Sequence, residues 1–126
     1  MQKFSAKSLE RLQTVHPDLQ RVFLEAIENS PYDFSITEGI RTLERQKQLY
    51  AEGKSQTMNS RHLKGYAVDI AVFVDGKVTW DLKYYKVVAE HILAVAKLND
   101  VPVVWGGSWK SLVDGPHFEL DRNKYV

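Results

Sequence analysis

Two short stretches of the sequence contain the residue types of a catalytic metal site. The first reads S-R-H-L-K-G-Y-A-V-D over residues 60–69, and the second reads D-G-P-H over residues 114–117. Together they hold two of the 4 histidines in the chain and two aspartates. Catalytic zinc is typically bound by three nitrogen or carboxylate ligands, with a fourth position open for water. The two stretches therefore predict a hydrolytic zinc site.

The predicted ligands are His62, Asp69 and His117, and the predicted general base is Asp114. Two neutral imidazoles and one carboxylate leave the charge of Zn²⁺ only partly neutralised. The remaining positive charge lowers the pKa of a bound water from ~15.7 towards ~7 and polarises a neighbouring carbonyl. A fourth protein ligand would close the site and make it structural, so a set of three favours catalysis.

Asp69 interrupts an otherwise apolar segment, A-V-D-I-A-V-F-V at residues 67–74, which is typical of a buried strand. A buried carboxylate is rare unless it is paired with a cation or binds a metal. Gly65 allows the chain to turn, which could bring His62 back beside Asp69. An arginine partner for Asp69 is the alternative to a metal.

The second stretch continues as H-F-E-L at residues 117–120, a short strand in which His117 and Glu119 would share one face. The Gly-Pro pair before it would turn the chain and could place Asp114 over the metal. Glu119 could hold a ligand histidine by a hydrogen bond, or act as the base in place of Asp114. Taken singly, each of these residues is more often structural, so the combination carries the prediction.

The pattern S-x-H-x-x-G-x-A-x-D followed by D/E-x-x-H resembles the signature of zinc peptidases that cleave bacterial wall peptides containing D-amino acids. That superfamily includes the D-Ala-D-Ala dipeptidases of vancomycin resistance, the D,D-carboxypeptidases and the L-alanyl-D-glutamate endopeptidases of phage lysis. The positions of the signature are filled here by Ser60, His62, Gly65, Ala67, Asp69, Asp114 and His117. The wider chain is more similar to the endopeptidase branch, whose arginine-bearing segment resembles residues 30–42. Where other members have Glu as the base, this chain has Asp114.

The resemblance implies a Zn²⁺-dependent endolysin that hydrolyses the L-Ala–D-Glu amide of the peptidoglycan stem peptide and so lyses the host cell. It also implies that Arg41 binds the substrate carbonyl or the oxyanion. Ser60 would orient the first loop, and Trp109 would line the cleft or belong to the core. Two alternatives stay open: a D-Ala-D-Ala carboxypeptidase or dipeptidase with the same metal centre, and a non-catalytic zinc-stabilised wall-binding domain with a fourth ligand.

Composition argues against several other classes of protein. A net charge of +1 with interspersed charges gives no basic surface for nucleic acid, so no such partner is expected. Cysteine is absent, which excludes disulfides and thiol catalysis. The sequence also lacks the G-x-S-x-G motif of many serine hydrolases and the H-E-x-x-H motif of other zinc peptidases.

The chain length of 126 residues predicts one domain with one core. No repeat or linker is visible, so residues 1–126 are expected to form a single zinc peptidase domain without a separate wall-binding module. The first ten residues lack the apolar segment of a secretory signal, and no apolar run reaches the ~18 residues of a membrane span. With the resemblance, this predicts a monomer without membrane insertion. It would stay in the host cytoplasm until a separate membrane-permeabilising protein releases it to the wall.

Apolar periodicity predicts an α+β fold, with a mostly antiparallel sheet flanked by helices and the zinc site at the sheet edge. The expected helices are at residues 17–29, 43–52 and 82–98. The expected strands are at residues 34–37, 67–74, 77–80, 101–105 and 117–120, with a hairpin turn at Asp75-Gly76. Residues 54–61 are expected to form a polar loop. His16 and His91 fall at a helix start and within a helical pattern, and neither is expected to have a functional role.

Overall fold

The computed structural model describes residues 2–55, 57–58, 60–109 and 113–125. The α-helices are α1 (Ala6–Leu12), α2 (Pro17–Ala26), α3 (Leu43–Ala51) and α4 (Leu82–Leu98). The strands are β1 (Asp33–Glu38), β2 (Ala67–Val74), β3 (Lys77–Thr79), β4 (Val103–Trp105) and β5 (His117–Leu120). Three short 3-10 helices are η1 (Ile27–Asn29), η2 (Arg61–Lys64) and η3 (Gly106–Ser108). The predicted α+β fold class is confirmed.

The five strands form one antiparallel sheet. Its order is β1-β2-β5-β4, and β3 pairs with β2. Because β1 pairs along one side of β2, strands β3 and β5 share its other side, at opposite ends. Asp69 of β2 lies directly opposite His117 at the start of β5. The predicted hairpin turn between β2 and β3 is confirmed, since Asp75 and Gly76 both have positive φ, at 51° and 77°.

The hydrophobic core lies between one face of the sheet and helices α2 and α4. Side chains alternate between the two faces of a strand, so neighbours in sequence point in opposite directions. The core side chains of β2 and β5 are Val68, Ile70, Val72, Phe118 and Leu120. The core side chains of α2 and α4 include Leu19, Val22, Phe23, Tyr85, Val88 and Ile92. Asp69, His117 and Glu119 have the opposite parity and therefore face away from this core.

The two long helices begin where the sequence predicts. Pro17 is the first residue of α2, and His16 caps the helix by accepting the backbone N–H of Asp18 at its Nδ1 atom, 3.0 Å away. Asp81 caps α4 in the same way. His91 lies 2.8 Å from the backbone oxygen of Ala26 through Nε2, which ties α4 to α2. Both histidines therefore have structural partners.

Other predicted boundaries differ from the structure. Helix α1 was missed because its buried residues are only Ser8 and Leu12, too few for a visible apolar stripe. The Ser8 hydroxyl nevertheless accepts the backbone N–H of Ile36 at 3.0 Å and fixes α1 on β1. The helix predicted at residues 17–29 continues as η1 in its last turn, and the strand predicted at residues 101–105 begins at Val103.

The polar loop predicted at residues 54–61 ends one residue early, because Arg61 opens η2. Within the described ranges, none of the helices has the length and hydropathy needed to cross a membrane.

Candidate metal centre

His62 is positioned by a short turn between the polar loop and β2. Ser60 precedes η2, and its hydroxyl accepts the backbone N–H of His62 at 3.2 Å. Gly65 ends the turn with φ of 71°, a left-handed conformation that favours glycine. The chain then reverses into β2, which places the buried His62 ring beside Asp69, as the turn at Gly65 predicted.

The His62 ring has one nitrogen fixed and one nitrogen unpartnered. Its Nδ1 atom lies 2.8 Å from the backbone oxygen of Gly39, and because a carbonyl can only accept, Nδ1 donates. In the neutral ring Nε2 is then an acceptor. It is buried and makes no hydrogen bond to any described residue, although Asp69 Oδ1 is 3.2 Å away. A cation between this nitrogen and the carboxylate oxygen would bind both acceptors.

His117 is held from both sides of its ring. Nδ1 lies 3.0 Å from Asp69 Oδ1, and Nε2 lies 2.9 Å from Glu119 Oε1. This confirms the predicted strand face shared by His117 and Glu119. The other oxygen of Glu119 accepts from Arg122 Nε at 3.0 Å and lies 3.9 Å from Arg61 Nε. Glu119 thus binds the ring nitrogen of His117 that does not face Asp69.

The three predicted ligands converge on one point. One candidate ligand atom from each of His62, Asp69 and His117 lies within 4.8 Å of the others. In a tetrahedral zinc site with bonds of about 2.0–2.1 Å, ligand atoms lie roughly 3.3–3.4 Å apart. The separations of 3.2 Å and 3.0 Å from Asp69 Oδ1 are close to that spacing. The partners of Asp69 are two histidines rather than an arginine, so these residues fit a metal ion.

Charge couples the members of this cluster. Burial alone would raise the pKa of Asp69, but the hydrogen bond with His117 and the proximity of the His62 ring outweigh it and hold the pKa well below its usual range. Burial alone would lower the pKa of His117, but hydrogen bonds with Asp69 and Glu119 raise it to about 9. In the same way, His117 and Arg122 keep the pKa of Glu119 low despite burial. A metal ion at this point would replace the proton that His117 shares with Asp69.

Asp114 enters the cleft from the turn between η3 and β5. Its backbone N–H donates to Gly106 O at 3.1 Å, and its carbonyl accepts the backbone N–H of His117 at 3.2 Å. A Cβ at Gly106 would lie 2.5 Å from Asp114 O, so only glycine allows this approach. Burial and the charge of Asp69 raise the pKa of Asp114, whereas His117, His62 and Arg41 lower it. The carboxyl group is therefore within electrostatic reach of the cluster.

Two tryptophans support this side of the cleft. Trp105 Nε1 donates to Gly115 O at 2.7 Å and so fixes the turn that follows Asp114. Trp109 lies against His117, with the ring centroids 5.2 Å apart, and lines the cleft.

Arg41 also lines the cleft. Its side chain is 10% exposed, and its Nε atom binds the carboxylate of Glu38. Nη1 donates to Gln46 Oε1 at 2.7 Å and lies 3.5 Å from the hydroxyl of Ser60. The Arg41 backbone N–H also donates to His62 O at 2.9 Å, which ties this segment to η2. The cleft has a volume of about 450 Å³, and its lining includes Glu38, Arg41, Arg45, Lys54, Ser60, His62, Asp69, Trp109, Asp114, His117 and Glu119.

Several residues that build the site were missed by the sequence analysis. Gln46 is fully buried, and its side-chain nitrogen donates to Ser55 Oγ at 2.8 Å and to the backbone oxygen of Thr57. Its place on the buried stripe of α3, three residues before Leu49, could have marked it as a polar group that needs partners. Gly39 acts through its backbone carbonyl, which has no signal in the sequence.

Comparisons with known proteins identify the family of the chain. The family model for phage L-alanyl-D-glutamate peptidase matches residues 1–123. The L-alanyl-D-glutamate peptidase of Escherichia phage T5 is 36% identical over 127 residues, which cover 98% of this chain and 92% of that protein. Peptidoglycan L-alanyl-D-glutamate endopeptidase CwlK of Bacillus subtilis (strain 168) is 32% identical over 111 residues, with coverage of 78% and 66%. The match to the L-alanyl-D-glutamate peptidase of Listeria phage A118 is 34% identical and covers 83% of this chain but 36% of that protein.

Solved structures also resemble the fold. The Serratia marcescens L-Ala D-Glu endopeptidase ChiX superposes with a TM-score of 0.91 at 42% identity, over 98% of this chain and 94% of that one. The vancomycin resistance D,D-dipeptidase VanXYg superposes with a TM-score of 0.55 at 15% identity, over 84% of this chain and 50% of that one, which shows a shared fold alone. On the family match over almost its whole length, the chain belongs to the phage L-alanyl-D-glutamate peptidase family.

Proposed function

We propose that this protein is a zinc-dependent endopeptidase that hydrolyses the amide between L-Ala and D-Glu in the peptidoglycan stem peptide. The observation that carries the proposal is the convergence of His62, Asp69 and His117 at one point of a cleft. It is supported by relatives at 36% and 32% identity whose names state this activity. We propose further that it acts as an endolysin, which a separate membrane-permeabilising protein releases to the wall and which lyses the host cell; the phage origin of the relative at 36% identity supports this role.

Zinc would be held by His62 Nε2, His117 Nδ1 and the Asp69 carboxylate. When bound, zinc supplies Lewis acidity that activates water and polarises the scissile carbonyl. The ring nitrogens that do not face the ion are already fixed, by Gly39 O at 2.8 Å and by Glu119 at 2.9 Å. Such hydrogen bonds orient ligand histidines and set their tautomers.

Asp114 is the proposed general base. Its carboxylate would take a proton from the attacking water and then deliver it to the departing amine of D-Glu. Burial raises the pKa of Asp114 above its usual value, which suits a group that must both accept and return a proton. Glu119 is less suited to this role because its two oxygens already bind His117 and Arg122.

Arg41 would stabilise the negative charge that develops on the carbonyl oxygen. Glu38 and Gln46 occupy its Nε and Nη1 groups, so with respect to the described residues Nη2 is the part of the guanidinium left for substrate. These contacts hold the side chain in the cleft wall before substrate arrives, and preorganisation of this kind favours transition-state binding.

Mass spectrometry of fragments released from purified peptidoglycan by the zinc-loaded protein tests the proposal. We expect fragments with a new N-terminal D-Glu, and far fewer of them from a parallel digest with Asp114→Asn. Free D-Ala would instead indicate a carboxypeptidase or dipeptidase. Zinc binding without any fragment would favour a non-catalytic wall-binding domain.

A further inference from the structure

The proposed substrate has a charge beside the bond that is cut. A D-Glu residue within a peptide uses its amine and one of its two carboxyl groups, so a second carboxyl remains. At neutral pH this free carboxyl is ionised, because its ordinary pKa lies near 4. Amidation would remove the charge with little change in size. A cation in the cleft could therefore distinguish the two forms of the substrate.

Among the described residues, five cationic side chains line the cleft: Arg41, Arg45, Lys54, Arg61 and Arg122. Four of them already have a carboxylate within 4.0 Å. Arg41 is paired with Glu38, Lys54 with Glu52, and both Arg61 and Arg122 approach Glu119. Over the residues that the structure describes, Arg45 is the cleft cation without such a partner.

Arg45 is exposed and lies in the first turn of α3. Thr42 caps this helix by accepting the backbone N–H of Arg45 at 3.1 Å, which fixes where the side chain leaves the helix. Its Nη1 atom donates to Gln48 Oε1 at 3.2 Å, a neutral group that leaves the positive charge uncompensated. The next residue, Gln46, holds Arg41 in the cleft wall, so Arg45 and Arg41 belong to the same wall.

We propose that Arg45 binds the free carboxylate of the substrate D-Glu and makes the enzyme selective for stem peptides in which this carboxyl is not amidated. This inference rests on the proposed endopeptidase function. A guanidinium can give two parallel N–H donors to a carboxylate, whereas a carboxamide has one oxygen acceptor and no charge. Lys54 and Arg122 contribute to the positive potential of the cleft, but their own carboxylate partners compensate them.

The test uses zinc-loaded full-length protein and two soluble muropeptides that differ only in a carboxylate or a carboxamide at the free D-Glu position. For the wild type we expect kcat/KM to be about 10- to 100-fold higher for the carboxylate, the range of a hydrogen bond to a charged group. Arg45→Gln should lower that value almost to the carboxamide value. Its activity on the carboxamide should stay within about twofold of the wild type.

Lys54→Gln is the matched control, because it removes one positive charge from the same cleft at another position. It should retain most of the preference, and Arg45→Lys should retain part of it. Zinc content and melting temperature of Arg45→Gln should equal those of the wild type. Full preference in Arg45→Gln, or an equal loss in Lys54→Gln, would overturn the role of Arg45. Failure of the wild type to cut either muropeptide at L-Ala–D-Glu would overturn the endopeptidase proposal itself, and the inference with it.

Discussion

The two histidines of the candidate metal centre are held in opposite ways. His62 is fixed at Nδ1 by the backbone carbonyl of Gly39 and presents Nε2. His117 is fixed at Nε2 by the carboxylate of Glu119 and presents Nδ1. A carboxylate partner makes an imidazole more basic and a stronger ligand, whereas a carbonyl mainly fixes its orientation. We call His117 with Glu119 the His117 half of the site, and His62 with the Gly39 carbonyl the His62 half. Side-chain substitution and pH can therefore change metal binding by the His117 half, whereas the backbone fixes the His62 half.

The structural elements that carry the two histidines also differ. His117 lies on a strand in the interior of the sheet, directly opposite Asp69. His62 lies on the short η2 turn and depends on contacts with the segment after β1, where its carbonyl also accepts the backbone N–H of Arg41 at 2.9 Å. Replacement of either histidine by alanine tests whether zinc binding needs both.

His62→Ala and His117→Ala should have the largest effects, and equal ones. Each substitution removes one of three proposed ligands, so we expect zinc to be lost and peptidoglycan hydrolysis to fall below detection. Elemental analysis and a turbidity assay measure the two quantities, with circular dichroism as the check on folding. One zinc per chain in folded His117→Ala would remove His117 from the ligand set and leave His62 as the principal histidine.

Asp114→Asn should have the next largest effect, on rate alone. The amide keeps the shape of the side chain but cannot accept the proton, so hydrolysis should slow by ~10²–10⁴-fold while zinc content stays at the wild-type level. Asp114→Glu should keep part of the activity, because it retains the carboxylate.

Glu119→Gln tests whether Glu119, and not Asp114, supplies the general base. Wild-type turnover in Asp114→Asn, together with a zinc-loaded but inactive Glu119→Gln, would move the base to Glu119. Loss of zinc from Asp114→Asn would instead make Asp114 a fourth ligand.

Zinc affinity should show how much the carboxylate of Glu119 contributes to the His117 half of the site. Glu119→Gln keeps an oxygen that can accept from His117 Nε2 but removes the charge, so affinity should fall by ~10–100-fold with little change in the rate per bound zinc. Glu38→Gln is the control, since it neutralises a cleft carboxylate that binds Arg41 rather than a histidine. Competition with a chromogenic chelator measures both variants. Equal losses of zinc affinity in the two variants would mean that the total negative charge of the cleft, and not the hydrogen bond between Glu119 and His117, determines the affinity.

The difference between the two halves also explains what the sequence could predict. Strands β2 and β5 have alternating patterns, so the shared face of His117 and Glu119 and the anomalous Asp69 were visible in the sequence. The Gly39 carbonyl that fixes His62 was not, because every residue has a carbonyl and its partner is set by tertiary folding. Helix α1 was missed for a related reason: it is held on β1 by the Ser8 hydroxyl rather than by an apolar stripe.

Buried polar residues were the other difficulty. Gln46 contacts Arg41 in the segment after β1 and both Ser55 and Thr57 in the polar loop, so its partners come from two separate segments of the chain. Helical periodicity shows that Gln46 lies on the same stripe as Leu49, but it does not show which groups the amide meets. The spacing of the motif predicted the metal-binding atoms better than it predicted the residues that support them.

The smallest predicted effect is a pH dependence of stability that comes from His117. Its pKa is raised from 6.5 to about 9 in the folded protein, so folding favours the protonated ring. The associated stability is fully present below pH ~6.5 and is lost as the pH rises through ~9. This rise in pKa corresponds to a contribution of at most about 3 kcal/mol to the free energy of unfolding. Asp69 has a lowered pKa, so its contribution is lost only in acid, outside this window.

Thermal unfolding of the chelated, metal-free protein between pH 6 and 9.5 would measure this effect, as a fall in melting temperature of up to about 10 °C. Glu119→Gln should shift the fall to lower pH and reduce it, because it removes one of the two carboxylates that stabilise the His117 cation. His91→Gln is a control outside the cleft, because the His91 ring contacts the backbone oxygen of Ala26 rather than a carboxylate, and it should keep the wild-type profile. Zinc-saturated protein should not show the fall, because the metal ion takes the place of the proton. A metal-free protein that becomes more stable from pH 6.5 to 9 would contradict the assignment of a carboxylate-bound, protonated His117.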